Sequence, residues 1–135
     1  MTTDEYAGSV QTLRNAMVRL ADALRQPKTE WTRDTSIQRF EFTFELVWKT
    51  TMRFARREGL ECASPRQAWR AALQLGWIED DAVWLDMLDD RNGTSHTYNE
   101  HTAEAIYARL RTYYQALATL LSELQALLPP VTEAE

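Results

Sequence analysis

The chain has 135 residues, a formal charge of −5 and 44% apolar side chains, enough for one domain with a continuous core and no need of staples. Cys62 is the single cysteine, which excludes an intramolecular disulfide, and with only two histidines beside it the composition argues against a structural zinc cage. The polar N-terminus lacks a basic segment ahead of an apolar run, and no stretch approaches the roughly 18 apolar residues of a membrane span. These features point to a protein of the reducing cytoplasm with no membrane partner.

Three segments place apolar residues at alternating steps of three and four, the signature of one buried helical face. The first is Tyr6, Val10, Leu13, Met17, Leu20, Leu24 and stops before Pro27. The second is Ile37, Phe40, Phe44, Val47, Thr51, Phe54; Thr35 and Gln38 stand at capping-box spacing ahead of it, and Gly59 supplies its stop. Phe42 and Leu46 fall opposite that stripe, among Arg39, Arg53 and Arg57, so this helix is either central in a bundle or shared with another chain. Ser64, Pro65 and Gln67 start a shorter helix closed by Gly76. Glu79 to Asp81 favour the positive end of a fourth helix whose stripe is Trp84, Met87, Leu88 and then Arg91. Gly93 is expected to break it. The last helix begins near Asn99 to Thr102, carries Ile106, Leu110, Tyr113, Leu117, Leu120, Leu124 and Leu127, and ends at Pro129 and Pro130. No strand-like alternation or internal repeat is present. The predicted architecture is all-α, an antiparallel up-and-down four-helix bundle with one additional short helix, a single domain over residues 1–135 with a flexible tail from about residue 129.

Charge is unevenly spread. Residues 1–62 carry a balance of +1 and residues 63–135 one of −6, and six acids (Glu79, Asp80, Asp81, Asp86, Asp89, Asp90) fall within twelve residues that hold no base. Most of these are expected to be solvated. Such a field repels a polyanion approaching freely, so any nucleic-acid site must be local or assembled from more than one chain.

The residues with the most chemistry are Asp89-Asp90-Arg91-Asn92-Gly93-Thr94-Ser95-His96-Thr97-Tyr98. An arginine grips phosphate through a planar fork of permanently charged donors, and a histidine exchanges a proton near neutral pH. Arg91 lies three residues after Leu88 and four after Met87, so it leaves the helix on its inward face and needs a partner there. That partner is either a nearby acid or helix-end carbonyl, which makes the role structural, or a phosphate, which makes it functional.

The second helix, Ile37-Gln38-Arg39-Phe40-Glu41-Phe42-Thr43-Phe44-Glu45-Leu46-Val47-Trp48-Lys49-Thr50, followed by Ser64-Pro65-Arg66 and then Arg91 to Tyr98, resembles the HEPN toxin partners of minimal nucleotidyltransferases, a family long called nucleotidyltransferase substrate-binding proteins. The likeness covers nearly the whole chain. It implies a helical bundle that dimerises, a metal-independent endoribonuclease without cofactor, and a nucleotidyltransferase antitoxin encoded by a neighbouring gene. Arg91, Asn92 and His96 match the catalytic motif of an arginine, a polar residue, a gap and a histidine. Tyr98 matches the tyrosine on which the partner attaches adenylate to silence the toxin. A non-catalytic subunit that binds substrate or nucleotide for the nucleotidyltransferase is the alternative.

Metal-free RNA cleavage needs a base for the 2′-hydroxyl proton, charge stabilisation on the phosphorane and an acid for the leaving 5′-oxygen. Arg91 suits the phosphorane, His96 proton transfer, and Asn92 orientation of the phosphate or the histidine. One histidine cannot easily serve both sides of an in-line displacement. A symmetric homodimer with two motifs at its seam would supply the second group, unless Asn92 or Tyr98 completes one site.

Overall fold

A computed structural model describes residues 2–130. Among them are five α-helices and one 3₁₀ turn, with no strand: α1 (Thr3–Arg25), α2 (Glu30–Arg57), α3 (Pro65–Gln74), α4 (Ala82–Gly93), the turn Thr94–His96 and α5 (Glu100–Ala126). The expected all-α bundle is therefore present. Of the tail expected from about residue 129, residues 131–135 lie outside the described part.

Capping follows the sequence at most helix starts. Thr2 and Glu5 exchange backbone bonds in a capping box at α1, Ser64 accepts from the Gln67 N–H at α3 with Pro65 in the first turn, and Asn99 accepts from the His101 and Thr102 N–H groups at α5. Gly59 and Gly76 close α2 and α3 at φ of 87° and 77°, left-handed values that favour glycine.

The start of α2 departs from expectation. The helix begins not at Thr35 but at Glu30, where Thr29 and Thr32 form the capping box. Hydropathy alone starts the apolar stripe at Ile37, because the core position one turn earlier is filled by an arginine. Arg33 is 3% exposed. Its Nη1 donates to Glu100 Oε2 at 2.7 Å and Glu104 Oε1 at 3.0 Å, and its Nε donates to Asp34 Oδ1 at 2.9 Å. Lys28 also pairs with Glu104. A buried guanidinium satisfied on three carboxylates thus clamps the start of α2 to the start of α5.

α2 is central, packing against α1, α3 and α5, while α4 rests on α3 and α5. This accounts for most of the apolar breadth of α2: Leu46 packs against the core, and Phe42 alone of the pair stays 60% exposed. Aromatic rings link the helices in series. Tyr113 of α5 stacks on Phe40 (centroids 5.7 Å apart, planes at 25°), Phe40 meets Phe44 at 6.1 Å, Phe44 meets Trp69 of α3 edge-on at 6.0 Å, and Trp69 meets Trp84 of α4 at 4.6 Å.

The Arg33 clamp gives a pH dependence of definite sign. A hydrogen bond from Arg33 holds the Glu100 carboxyl below its ordinary 4.5, and bonds from Lys28 and then Arg33 do the same for Glu104. Because the folded values lie below the unfolded ones, the clamp stabilises fully above about pH 4.5 and is lost as pH falls through the folded values. Thermal midpoints of the parent protein should fall more steeply below about pH 4.5 than those of an Arg33→Met variant; parallel curves would show that the clamp does not contribute.

Candidate active site

The motif sits where α4 runs into α5, and two neighbouring side chains fix the last turn of α4 from different sides. Asp90 accepts from Arg109 Nε at 2.6 Å and Nη2 at 2.8 Å, and from the Tyr113 hydroxyl. Its side chain is 14% exposed, so among the six acids, most of them expected to be solvated, this one is an internal tie between α4 and α5. Burial and then the Asp90 carboxylate push the Tyr113 phenol well above its usual range, which keeps it a hydrogen-bond donor.

Arg91 finds its partner elsewhere. Its Nη2 donates to Glu45 Oε1 of α2 at 3.2 Å, with the arginine side chain 31% exposed. The partner is not one of the nearby acids but a residue 46 positions back in the chain. Glu45 is itself shared: its Oε2 accepts from Trp48 Nε1 at 3.2 Å and lies 3.7 Å from Lys49 Nζ. The Arg91 Nε is buried and has no hydrogen-bond partner, so the guanidinium is held on one edge and leaves donor capacity unused.

Gly93 does not break the helix. Its φ is −78°, an ordinary right-handed value, and α4 tightens directly into the 3₁₀ turn. Thr94 drives this: it is buried, and both its N–H and its hydroxyl donate to the Arg91 carbonyl, the hydroxyl at 2.7 Å. The Thr97 hydroxyl donates to the Thr94 carbonyl at 3.2 Å, and the Asn99 N–H closes the segment on the His96 carbonyl at 3.0 Å.

Asn92, His96 and Tyr98 are all exposed, Tyr98 to 83%. The imidazole and phenol stand edge to face, centroids 5.9 Å apart and planes at 74°, with the Tyr98 hydroxyl 3.5 Å from His96 Nδ1. Arg91, paired with Glu45 of α2, and His96, paired with Tyr98 in the turn that follows, thus stand on one continuous piece of helical backbone. Glu45 is the site residue that sequence reasoning missed. Its only signal is its place between Phe42 and Leu46 on the outward side of α2.

Residues 3–126 match the family described as nucleotidyltransferase substrate binding protein like. The chain belongs to that family. A relative from Haemophilus influenzae, named Probable ribonuclease HepT, is 33% identical over 95 residues, 67% of this chain. The alignment spans 65% of that relative's length. Two solved structures share the fold. One, from Thermus thermophilus, is 38% identical with a TM-score of 0.80 over 84% of this chain and 98% of its own. The other, from Haemophilus influenzae, is described as revealing the fold of a substrate binding domain of a nucleotidyltransferase, and is 27% identical with a TM-score of 0.68 over 92% of this chain and 99% of its own. Among the described residues no group of three or more His, Cys, Asp and Glu side chains is arranged to hold a metal ion, and no helix is long and apolar enough to cross a membrane.

Proposed function

We propose that this chain is the toxin half of a toxin–antitoxin pair, a metal-independent endoribonuclease restrained by a nucleotidyltransferase. The observation that carries the reading is the exposed His96 held five residues from a guanidinium with unused donors, on one rigid segment. The name of the ribonuclease relative supports it. In this reading the 2′-hydroxyl gives up its proton and attacks phosphorus, the bond to the 5′-oxygen breaks, and that oxygen takes a proton. His96 moves one of these protons, Arg91 stabilises the charge on the phosphorane, and Asn92 orients the phosphate or the imidazole. A substrate phosphate competes with Glu45 for the partly exposed guanidinium of Arg91.

His96→Ala and Arg91→Ala should each abolish cleavage of RNA in the presence of a chelator while leaving the helical circular dichroism intact. Arg91→Lys should fail as well, because an ammonium cannot reproduce the two-toothed grip. Cleavage at parent rates by both alanine variants would reject the assignment. Absence of cleavage by the parent would favour a non-catalytic subunit that binds substrate or nucleotide for the nucleotidyltransferase.

With one histidine per chain at the motif, the second proton-transfer group comes from a second copy, so the working unit is a homodimer whose seam includes Arg91 to Tyr98. Light scattering at micromolar concentration should give twice the 15.7 kDa chain mass. A single-chain mass would remove the dimer from the mechanism.

Tyr98 is the site of silencing. Its exposure lets a nucleotidyltransferase reach the phenol without unfolding, and an adenylate there would set a negative charge and a large group against the His96 ring. The phenol oxygen attacks the α-phosphorus of ATP, its proton is lost and pyrophosphate leaves. Incubation with the neighbouring nucleotidyltransferase, ATP and magnesium should add one adenylate to the peptide carrying Tyr98. Modification that persists in Tyr98→Phe would place it elsewhere.

A further inference from the structure

The outer side of α2 holds a groove of about 430 Å³ against α1, lined among others by Asn15, Arg19, Arg39, Phe42, Glu45 and Leu46. Phe42 offers a phenyl ring that is 60% exposed. Arg39 is fixed at the wall by donating Nη1 to the Arg19 carbonyl at 2.7 Å, and Arg19 is itself exposed. Glu45 is the sole acid of the lining, and it is already paired with Arg91 and Lys49. The groove is mostly apolar, but in a chain of charge −5 its charged lining of two arginines and one already paired acid leans positive, and through Glu45 it adjoins the motif arginine.

We infer that this groove is the track for a single-stranded RNA segment flanking the scissile phosphate, an inference that rests on the nuclease reading above. One unstacked base lies on the Phe42 ring, Arg19 and Arg39 take backbone phosphates, and the Asn15 amide is within the same wall for a base edge. A lone exposed ring has nothing to stack on in a duplex, whose bases are already stacked, so the strand must be single. A second copy of the chain is the poorer occupant. Isologous contact through this groove would bring two sets of Arg19 and Arg39 to one seam whose only lining acids are already engaged. The local field also resolves the repulsion expected from the acidic α4, because the strand approaches along α1 and α2.

The test uses the full chain carrying His96→Ala, so that RNA stays intact, and a fluorescent 12-nucleotide oligouridylate read by anisotropy. Phe42→Ala in that background should weaken binding by about tenfold with an unchanged salt slope, and Phe42→Trp should preserve affinity. Arg39→Gln should weaken binding and lower the slope of log affinity against log salt by about 0.7, the loss of one phosphate contact on a single strand. Arg66→Gln, outside the groove on α3, should change neither. No measurable binding by the parent background, equal binding by Phe42→Ala and Arg39→Gln, or equal competition by duplex RNA would each overturn the inference. Loss of a dimer on Phe42→Ala, seen by light scattering, would assign the groove to a second copy and overturn it too. Groove-dependent binding by a wild-type chain that does not cleave would sink the nuclease reading and leave the RNA track standing. Cleavage that survives intact in both groove variants would do the reverse.

Discussion

The aromatic rings in series, Tyr113, Phe40, Phe44, Trp69 and Trp84, are the constraint on which the position of the motif depends. α4 has only 12 residues and its N-cap Asp81 makes no side-chain bond, so it has little stability of its own. What holds it is the Trp84 ring against Trp69, which is completely buried and in turn rests on α2 through Phe44. Removing a buried ring of this kind costs about 3–5 kcal/mol, a large part of the roughly 5–15 kcal/mol by which a typical domain is stable. Dispersion and burial place the helix, but they are non-directional and do not set its rotation.

Rotation is set by charge. Asp90 is bound from α5 and Arg91 from α2, and two consecutive side chains drawn to different helices leave the last turn of α4 one orientation. The Arg33 cluster does the same for the far side of the motif by fixing the first turns of α5, to which Asn99 attaches the segment. Each of these ties joins residues far apart in sequence, and each places a carboxylate opposite an arginine fork, whose planar geometry resists rotation better than an ammonium would. The Trp69 indole N–H, by contrast, is buried without a partner, and the residue is held by the packing of its ring.

The helical framework is legible in the sequence because burial of one face writes a period of about 3.6 into hydropathy. That signal fails where a core position is polar: Arg33 interrupts the stripe of α2, and the helix starts at Glu30, ahead of the expected capping pair. The end of α4 escapes sequence reading for a related reason, since Gly93 looks like a stop, whereas Thr94 supplies the bonds that carry the backbone onward. Arg91, Asn92, His96 and Tyr98 can be picked out by residue type and by family resemblance. The carboxylate that holds Arg91 cannot, because a pairing across 46 residues leaves no periodic trace. Nor can Asp90 be told from its acidic neighbours until Arg109 and Tyr113 are seen to converge on it.

The continuity of α4 through Gly93 into the 3₁₀ turn gives the spacing of the motif a meaning that a loop would not. The backbone between Arg91 and His96 is helical throughout, so the number of intervening residues is an angular setting. Each residue advances the side-chain direction by about 100° in the α part and about 120° in the 3₁₀ part. One residue inserted or deleted between the two would leave both side chains present and turn the imidazole through more than a right angle relative to the guanidinium. In a flexible linker such a change is absorbed. Here the four intervening residues work as a phase, and a chain with the same residues at another spacing would carry the same side chains pointing in different relative directions.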